Sequence, residues 1–447
     1  MQTTDSPPLY QLLHRFVAVE REEVRALLFS FLYFFTLLAS YYVLRPVRDE
    51  MGVQAGLQKL PWMFSAVFLS MLVLVPVFGW LAGRLPVRRL IPTVYGFFGI
   101  HLALFFLALI SDVPRPLIAP VFFVWVSVFN LFVVSVFWSV MADLYATESA
   151  RRLFGFIAAG GSLGAVAGPL FTALMVPYLG VPPLLLVSIG LLAAALACFF
   201  AVMTTHGRLS AGTTTSPAGM PPVAHEPPPA LWIGILKIAQ SRYLLGICLY
   251  LACYSVLSTM LYSQQMRLVP EVIGDSDART QLFAWVDFTV NALTVVTQLL
   301  LTGRLLAGLG VTSLLAAVPA FNVFGFALFG FAPILGVLVA FGILRRAGEF
   351  AIAKPTRETL FTVVTKEEKY QAKNVIDTAV HRGGDVASSW ISSALQSAGL
   401  SIGETAFAAV PIAALWLANG VFLGRRHEQL RATHPSTASN GPEAYRF

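Results

Sequence analysis

The sequence predicts an all-α polytopic membrane protein with about twelve transmembrane helices in two halves of six. Hydrophobic residues make up 57% of the 447 residues and charged residues only 12%, whereas roughly a quarter of the residues in a soluble domain are charged. Apolar stretches of the ~20 residues that cross a bilayer also recur along the chain. The predicted spans centre near Phe35, Leu72, Ile100, Leu131, Leu163, Leu192, Leu251, Leu293, Phe321, Leu344, Ala387 and Ala413.

The positions of the lysine and arginine residues predict the orientation, because cytoplasmic loops carry an excess of both. When the loops are assigned alternately to two sides, the side of the N-terminus holds most of the 30 basic residues. We therefore expect an integral multi-pass protein of a bacterial inner membrane with both termini in the cytoplasm. The same bias explains the net charge of +7, so no nucleic-acid partner is expected.

The chain is predicted to divide into five segments. Residues 1–23 form a polar cytoplasmic segment without the apolar core of a cleavable signal, and residues 24–204 form the first six-helix half. A flexible cytoplasmic linker at 205–230 is predicted from its threonine, serine and proline runs. The second half covers 231–424, and a basic cytoplasmic tail covers 425–447. The similar tetrapeptides at 82–85 and 302–305, each after the second span of a half, indicate an internal duplication.

Ionisable residues inside spans are candidates for a substrate site, because they normally face a partner or a water-filled path. Arg45 and Arg48 lie three residues apart at the end of the first span, and Pro46 could break the helix between them. Together they could present two planar guanidinium forks to one phosphate. The alternative is snorkelling to the interface, with Asp49 and Glu50 as counterions.

A second group of charges lies in the predicted tenth span. Arg345, Arg346 and Glu349 interrupt an apolar run, and their spacing makes an ion pair within the helix available. Lys354 extends the cationic face toward the cytoplasmic end. We predict that all four bind substrate, and the alternative is a neutralised structural pair.

The predicted eleventh span carries a polar ladder. Asp377, His381 and Asp385 are spaced by four residues, and Arg382 lies beside them. One helix face could therefore pair with the cations of the tenth span or relay a proton. Asp377 and Arg382 are predicted to bind substrate, and the three members of the ladder are candidates for proton coupling. For His381, simple packing is the alternative.

Three milder patterns complete the candidate residues. Asp287 and Asn291 form a polar stripe on the eighth span, and Tyr254 and Tyr262 form an aromatic stripe on the seventh. The tyrosine rings could stack on a base, although such stripes also serve packing. On the fifth span, glycines repeat every four residues, a spacing that lets two helices approach closely. These predicted packing residues are Gly160, Gly164 and Gly168.

The sequence contains no recognisable motif for ATP hydrolysis, nucleophilic catalysis or metal binding. It contains no P-loop, GxSxG or HExxH pattern. Cys198, Cys248 and Cys253 lie in apolar spans without metal-ligand spacing. We therefore expect no enzymatic activity, no cofactor and no metal site. Energy for transport would come from an ion gradient or from exchange of one solute for another.

The segment at 79–89 resembles the loop between helices two and three of the major facilitator superfamily, a glycine-led turn followed by a basic cluster. Gly83 stands where that family usually has Asp. The resemblance implies a major-facilitator-like fold. It also implies a gating role for the residues Gly79, Arg84, Arg88 and Arg89.

Three further segments resemble the ATP/ADP antiporter (nucleotide transporter) family. Leu44-Arg45-Pro46-Val47-Arg48-Asp49 is similar to its Leu-Arg-x-x-Lys-Asp element, with Arg48 where Lys is usual. Residues 354–385 resemble its tenth-to-eleventh-helix region, and residues 148–168 resemble its fifth helix. The resemblance implies a secondary transporter that exchanges nucleotides or related phosphorylated anions by alternating access.

Two other functions stay open at this stage. One is a major-facilitator carrier for another organic anion or small solute, coupled to protons through Asp377 and His381. The other is a membrane receptor or assembly platform that does not transport, for which the charges inside spans would have no use. We expect a small anionic substrate, a lipid bilayer as surroundings, and a functional monomer.

Overall fold

The computed structural model describes residues 19–433, except for 21–22, 112, 213–230, 366–371 and 374. Helices account for nearly all of this part of the chain, and no β-strand occurs within it. This result follows from the composition, because a backbone in hydrocarbon must satisfy its own hydrogen bonds and a helix does so within one segment. The predicted all-α polytopic membrane class is confirmed.

The first half of the chain contains six long helices. A 3-10 turn at Leu57–Lys59 joins the first two, and Gly56 (φ 88°) and Gly180 (φ 70°) adopt the left-handed backbone that ends a helix. The helices are α1 Val24–Ala55, α2 Leu60–Arg84, α3 Val87–Ile110, α4 Arg115–Leu144, α5 Thr147–Leu179 and α6 Pro182–Gly212.

The second half is less regular than the first. Three π-turns interrupt its helices, at Gln298–Thr302, Glu349–Ala353 and Ile376–Val380. The helices are α7 Leu231–Gln240, α8 Arg242–Val272, α9 Ser276–Thr297, α10 Gly303–Phe331, α11 Leu335–Gly348, α12 Lys354–Thr359, α13 His381–Ser397 and α14 Ile402–Thr433. A kink at Gly310 (φ 74°) divides α10, and a 3-10 turn at Leu360–Val363 follows α12.

Each of the twelve predicted span centres lies in one of these helices. Nine stretches of the described chain are long and apolar enough to cross a membrane. One of them, Ser276–Phe331, contains α9, the π-turn at Gln298–Thr302 and α10 with its kink at Gly310. The centres at Leu344 and Ala387 lie in the short helices α11 and α13, which the π-turns and charged residues set apart from the apolar spans.

The described residues form two compact units. The first unit contains α1, most of α2, α3 to α6, and Ile273–Asn291 at the beginning of α9. The second contains Leu60–Phe68 of α2, α7 and α8, the rest of α9, and α10 to α14. In the first unit α1 packs against α5 and α6, and α3 packs against α6; in the second, α8 packs against α13 and α14, and α10 against α14. The same pairing at matching positions in both units fits the predicted duplication.

Glycine allows the closest helix crossing in the first unit, between α1 and α5. A Cβ atom at Gly160 would lie 2.5 Å from the Phe31 carbonyl oxygen, and one at Gly168 would lie 2.8 Å from the Ala39 carbonyl oxygen. At Gly164 it would collide with the Phe35 carbonyl oxygen. The repeat of four residues therefore brings the two backbones into direct contact along about two turns of helix.

Local geometry differs from the sequence prediction at several points. Helix α1 continues through Pro46 without a break. The predicted glycine-led turn at Gly79 is wrong, because Gly79 lies inside α2 and the chain turns at Leu85 and Pro86, both with extended backbone. Proline disfavours a helical conformation in the residue before it, which explains this position of the turn.

The helices also continue past two predicted boundaries. Helix α6 ends at Gly212 rather than at residue 204, and α14 continues to Thr433 past residue 424. Residues 1–18 of the predicted N-terminal segment, 213–230 of the predicted linker and 434–447 of the predicted tail lie outside the described residues.

We expect Gly164→Ala to destabilise the protein, because the backbone of α1 cannot move away from the new Cβ without separating the two helices. The cost should be about 1–3 kcal/mol, as for other overpacked sites. Thermal unfolding of the purified protein in detergent measures the effect. Gly155→Ala on the same helix is the matched control, because a Cβ there meets nothing within 4 Å. Equal stability of the two variants would contradict the close crossing.

Candidate functional site

The second unit buries a guanidinium group that lacks a counterion. Arg345 on α11 is 4% exposed, and its Nη2 donates a hydrogen bond to Ser258 Oγ on α8 at 3.1 Å. The guanidinium carbon lies 6.0 Å from the centre of the Tyr254 ring. The Nε and Nη1 groups of Arg345 are buried without a hydrogen-bond partner, and Arg345 forms no ion pair with any described residue. The Nε–H group and the two N–H groups of Nη1 therefore have no hydrogen-bond partner among the described residues.

The predicted ion pair between Glu349 and Arg345 or Arg346 is wrong. Glu349 Oε1 instead accepts a hydrogen bond from Arg357 Nη1 at 3.4 Å, and both side chains are buried. The cause is the π-turn at Glu349–Ala353. In a regular α-helix, residues eight apart point about 80° away from each other, and a π-turn rotates the chain less per residue and so reduces this angle. Glu349 Oε2 is buried without a hydrogen-bond partner.

The Tyr254 ring beside Arg345 belongs to a group of aromatic side chains. The Tyr254 ring lies 5.8 Å from the His381 ring and 6.1 Å from the Trp416 ring, centre to centre. Tyr250 contacts Trp416 from the next turn of α8. The Trp416 Nε1 donor is buried without a partner. The residues Arg345, Glu349, Tyr254 and Trp416 therefore present unused donors, an unused acceptor and aromatic surface within one unit; we name them the Arg345 cluster.

The polar ladder predicted on the eleventh span divides into parts with different roles. Asp385 Oδ1 accepts hydrogen bonds from Ser255 Oγ at 2.6 Å and Thr259 Oγ1 at 3.0 Å. Its Oδ2 is 3.4 Å from Arg382 Nη1, and the His381 carbonyl oxygen accepts a second bond from Ser255. Asp385 therefore fastens α13 to α8. The Asp377 side chain lies outside the described residues, and the π-turn beside it changes the spacing on which the ladder was predicted.

In the first unit, the predicted residues at the end of α1 have counterions of their own. Arg45 Nη1 lies 3.4 Å from Asp287 Oδ1 on α9, and the Arg45 and Asp287 side chains are 17% and 1% exposed. Arg48 is paired with Asp49 at 2.7 Å and lies over the Phe123 ring. The two guanidiniums thus do not converge on a shared position in this structure.

The polar stripe of α9 binds other helices. Asn291 Nδ2 donates to the Ala165 carbonyl oxygen of α5 at 2.8 Å. In the second unit, Gln298 Nε2 donates to the Phe350 carbonyl oxygen at 3.1 Å. This second bond is made to the π-turn at Glu349–Ala353, whose widened backbone leaves carbonyl groups available. The stripe therefore stabilises helix contacts.

The ion pair between Glu50 and Arg279 was not predicted from the sequence. Glu50 at the end of α1 is fully buried and accepts two bonds from Arg279 of α9, at 2.6 Å and 2.8 Å. Arg279 Nη1 also donates to the carbonyl oxygens of Ile273 and Gly274. The only available signal was that two opposite charges lie at the ends of spans predicted to face the same side.

The remaining predicted residues differ in their exposure and contacts. Tyr262 packs edge to face against Phe64, and Lys354 is exposed. Arg346 is half-buried, unlike its neighbour Arg345. The predicted gating residues Arg84, Arg88 and Arg89 are exposed, and the Arg84 guanidinium lies 4.2 Å from the centre of the Trp80 ring.

Comparison with known proteins finds similarity in fold and not in sequence. No protein-family profile matches the chain, and no curated protein matches it. A bacterial homologue of the human lysosomal transporter Spinster, in an inward-facing and unoccupied conformation, has a TM-score of 0.53 at 15% identity and covers 94% of this chain and 99% of its own. An auto-inhibited POT family peptide transporter has a TM-score of 0.60 at 15% identity, with 95% and 99% covered.

A third similar structure is the POT family transporter PepTSo, with a TM-score of 0.58 at 12% identity and coverage of 91% and 98%. Nothing in these comparisons supports the narrower resemblance to the ATP/ADP antiporter family. The chain therefore has the polytopic, major-facilitator-like fold of these transporters over more than nine-tenths of its length.

Proposed function

We propose that this chain is a secondary active transporter of a small organic anion and that Arg345 binds the anionic group. The observation that carries the proposal is the buried Arg345 guanidinium, whose Nε and Nη1 groups have no partner. A guanidinium that leaves water without a counterion costs several kcal/mol. Such residues within membrane proteins mark substrate or ion pathways. A bound anion would supply the missing counterion.

The charges of the Arg345 cluster and its neighbour Arg357 favour an anion over a cation. Arg345 and Arg357 contribute two positive charges and Glu349 contributes one negative charge, all in buried positions. One further negative charge would neutralise the group. The planar fork of arginine fits carboxylate and phosphate oxygens equally well in two-point contacts.

Among anions, a nucleotide or another phosphorylated metabolite is our first candidate. The resemblance of three segments to the ATP/ADP antiporters supports it, and the rings of Tyr254 and Trp416 provide surfaces on which a base can stack. An exchanger of this kind needs no nucleotide hydrolysis, since one anion leaves as another enters.

A proton-coupled carrier of an organic anion is the second candidate, and Glu349 favours it. Its Oε2 is buried without a partner, so a proton can bind there while Oε1 still accepts the hydrogen bond from Arg357 Nη1. A neutral Glu349 would also repel an incoming anion less. We therefore add Glu349 to the candidates for proton coupling.

The proposed orientation has both termini in the cytoplasm of a bacterial inner membrane, and we propose that the monomer is the functional unit. In a variant with the native cysteines replaced by serine, Glu271→Cys should react with a membrane-impermeant maleimide in intact cells, because Glu271 is exposed at the end of α8. Gly212→Cys should react only after the membrane is permeabilised. Labelling of both positions from outside would contradict this orientation.

Replacing Arg345 should separate binding from stability. We expect Arg345→Met to leave the thermal stability of the ligand-free protein unchanged or to raise it, because an unneutralised buried charge is removed. The same variant should lose stabilisation by ATP, ADP, inorganic phosphate and citrate. In the native protein, a ligand at 100 times its Kd adds about 2.7 kcal/mol. Differential scanning fluorimetry over this panel, with adenosine as an uncharged comparison, gives both quantities.

Arg304→Met is the matched control for that experiment, because Arg304 is exposed on α10. It should keep both stability and ligand response. Protection of Arg345→Met to the same extent as the native protein would show that the anion binds elsewhere. Protection of the native protein by adenosine alone would favour an uncharged substrate.

A third prediction concerns the buried ion pair next to Arg345. Arg357→Met should destabilise the protein by about 3–5 kcal/mol, since it leaves Glu349 buried without its partner. The double variant Arg357→Met with Glu349→Gln should recover most of this loss. Denaturant or thermal unfolding measures the series. If the two changes add without recovery, the two groups are hydrated and do not depend on each other.

A further inference from the structure

We infer that the basic cluster between α2 and α3, formed by Arg84, Arg88 and Arg89, binds the headgroup of an anionic phospholipid. The cluster lies outside the Arg345 cluster, and the inference does not depend on the proposed substrate. Three arginines occur within six residues, at the end of one helix and the beginning of the next.

No acidic residue neutralises this cluster locally. The sequence contains no Asp or Glu between Glu50 and Asp112. All three arginine side chains are exposed, and none of them forms an ion pair with a described residue. Helix α3 also begins without a side-chain cap at Pro86, so its first N–H groups add positive charge at the same place. The cluster can therefore attract a negative ligand from outside the chain.

The helix that carries the cluster is left uncovered by the rest of the chain over most of its surface. Only 11% of the most apolar window of Leu57–Arg84 is buried, against 56% for Val24–Ala55. The exposed side chains are long and apolar, such as Leu69 and Val73, which are 59% and 62% exposed. Side chains of this kind belong in contact with acyl chains. The arginines thus lie at the end of an exposed, apolar helix, where the headgroups of a surrounding bilayer would be.

Small residues leave room for an acyl chain beside the arginines. A Cβ atom at Gly79 or Gly83 would meet nothing within 4 Å, and the two glycines lie one turn apart on α2. Trp80 between them is 56% exposed, and the Arg84 guanidinium lies 4.2 Å from its ring centre. Tryptophan is typical of the membrane interface. A phosphate at the arginines and an acyl chain along Gly79 and Gly83 would use both parts of this surface.

These features favour a lipid over a free anion such as phosphate. A soluble anion would contact the arginines alone, whereas a phospholipid also covers the exposed apolar surface of α2. Clusters of arginine and lysine at a membrane surface attract anionic headgroups, with each residue adding to the affinity. The occupant is thus a phospholipid with a net negative headgroup, such as phosphatidylglycerol.

Native mass spectrometry tests this inference with the full-length protein and two probes, phosphatidylglycerol and phosphatidylcholine of the same acyl chains. The native protein should retain phosphatidylglycerol in preference to phosphatidylcholine. The triple variant Arg84→Gln, Arg88→Gln, Arg89→Gln should bind phosphatidylglycerol at least tenfold more weakly. A control triple variant, Arg425→Gln, Arg426→Gln, Arg431→Gln, removes the same charge from exposed positions on α14 and should retain the preference.

Gly83→Leu tests the acyl-chain part of the site without changing its charge. It should weaken phosphatidylglycerol binding and leave the binding of glycerophosphoglycerol, which has the headgroup and no acyl chains, unchanged. Thermal unfolding of every variant confirms that each is folded. An equal loss of phosphatidylglycerol binding in both triple variants would show general attraction between charges and would contradict a specific site. Unchanged lipid binding in the first triple variant, or full competition by inorganic phosphate, would overturn the inference.

Discussion

The π-turn at Glu349–Ala353 determines which buried cation of the second unit is neutralised. It shifts the helix register so that Glu349 meets Arg357, eight residues later, and not Arg345, one turn earlier. The carboxylate thus pairs with one of two buried guanidiniums, and Arg345 is left with a hydroxyl group and an aromatic ring as neighbours. Single π-turns are frequent at functional sites, and here the π-turn explains why a charge in the membrane remains available to a ligand.

In the first unit, by contrast, the buried charges are paired with each other. Asp287 is paired with Arg45, and Glu50 is held by two bonds from Arg279. Both pairs join α1 to α9, so each fastens one helix to another. Removing one member of such a pair would leave a buried charge without compensation. Charge in this unit therefore contributes to the arrangement of helices, whereas the excess positive charge lies in the second unit, where the proposed anion binds.

The sequence allowed the fold class, the span positions and the glycine crossing to be predicted, because these depend on local hydropathy and on short spacings. Ion-pair partners were predicted less well. The spacing of Arg345 and Glu349 makes an ion pair available only in a regular α-helix. No local sequence pattern predicts the π-turn at Glu349–Ala353. Glu50 and Arg279 are 229 residues apart, so their contact depends on tertiary packing. The hydroxyl groups that donate hydrogen bonds to Asp385 Oδ1 also come from another helix.

The incomplete neutralisation of Arg345 has a consequence for a carrier that works by alternating access. When such a carrier changes state without its anion, Arg345 remains buried without a counterion and the cost of its desolvation raises the energy of the occluded state. When the anion is bound, that cost is offset by its charge. The loaded carrier therefore changes state more readily than the empty one, because the ligand stabilises the occluded state selectively. In the proposed carrier this difference favours exchange of one anion for another over net movement of a single anion. It arises because Glu349 pairs with Arg357 and leaves Arg345 without a counterion.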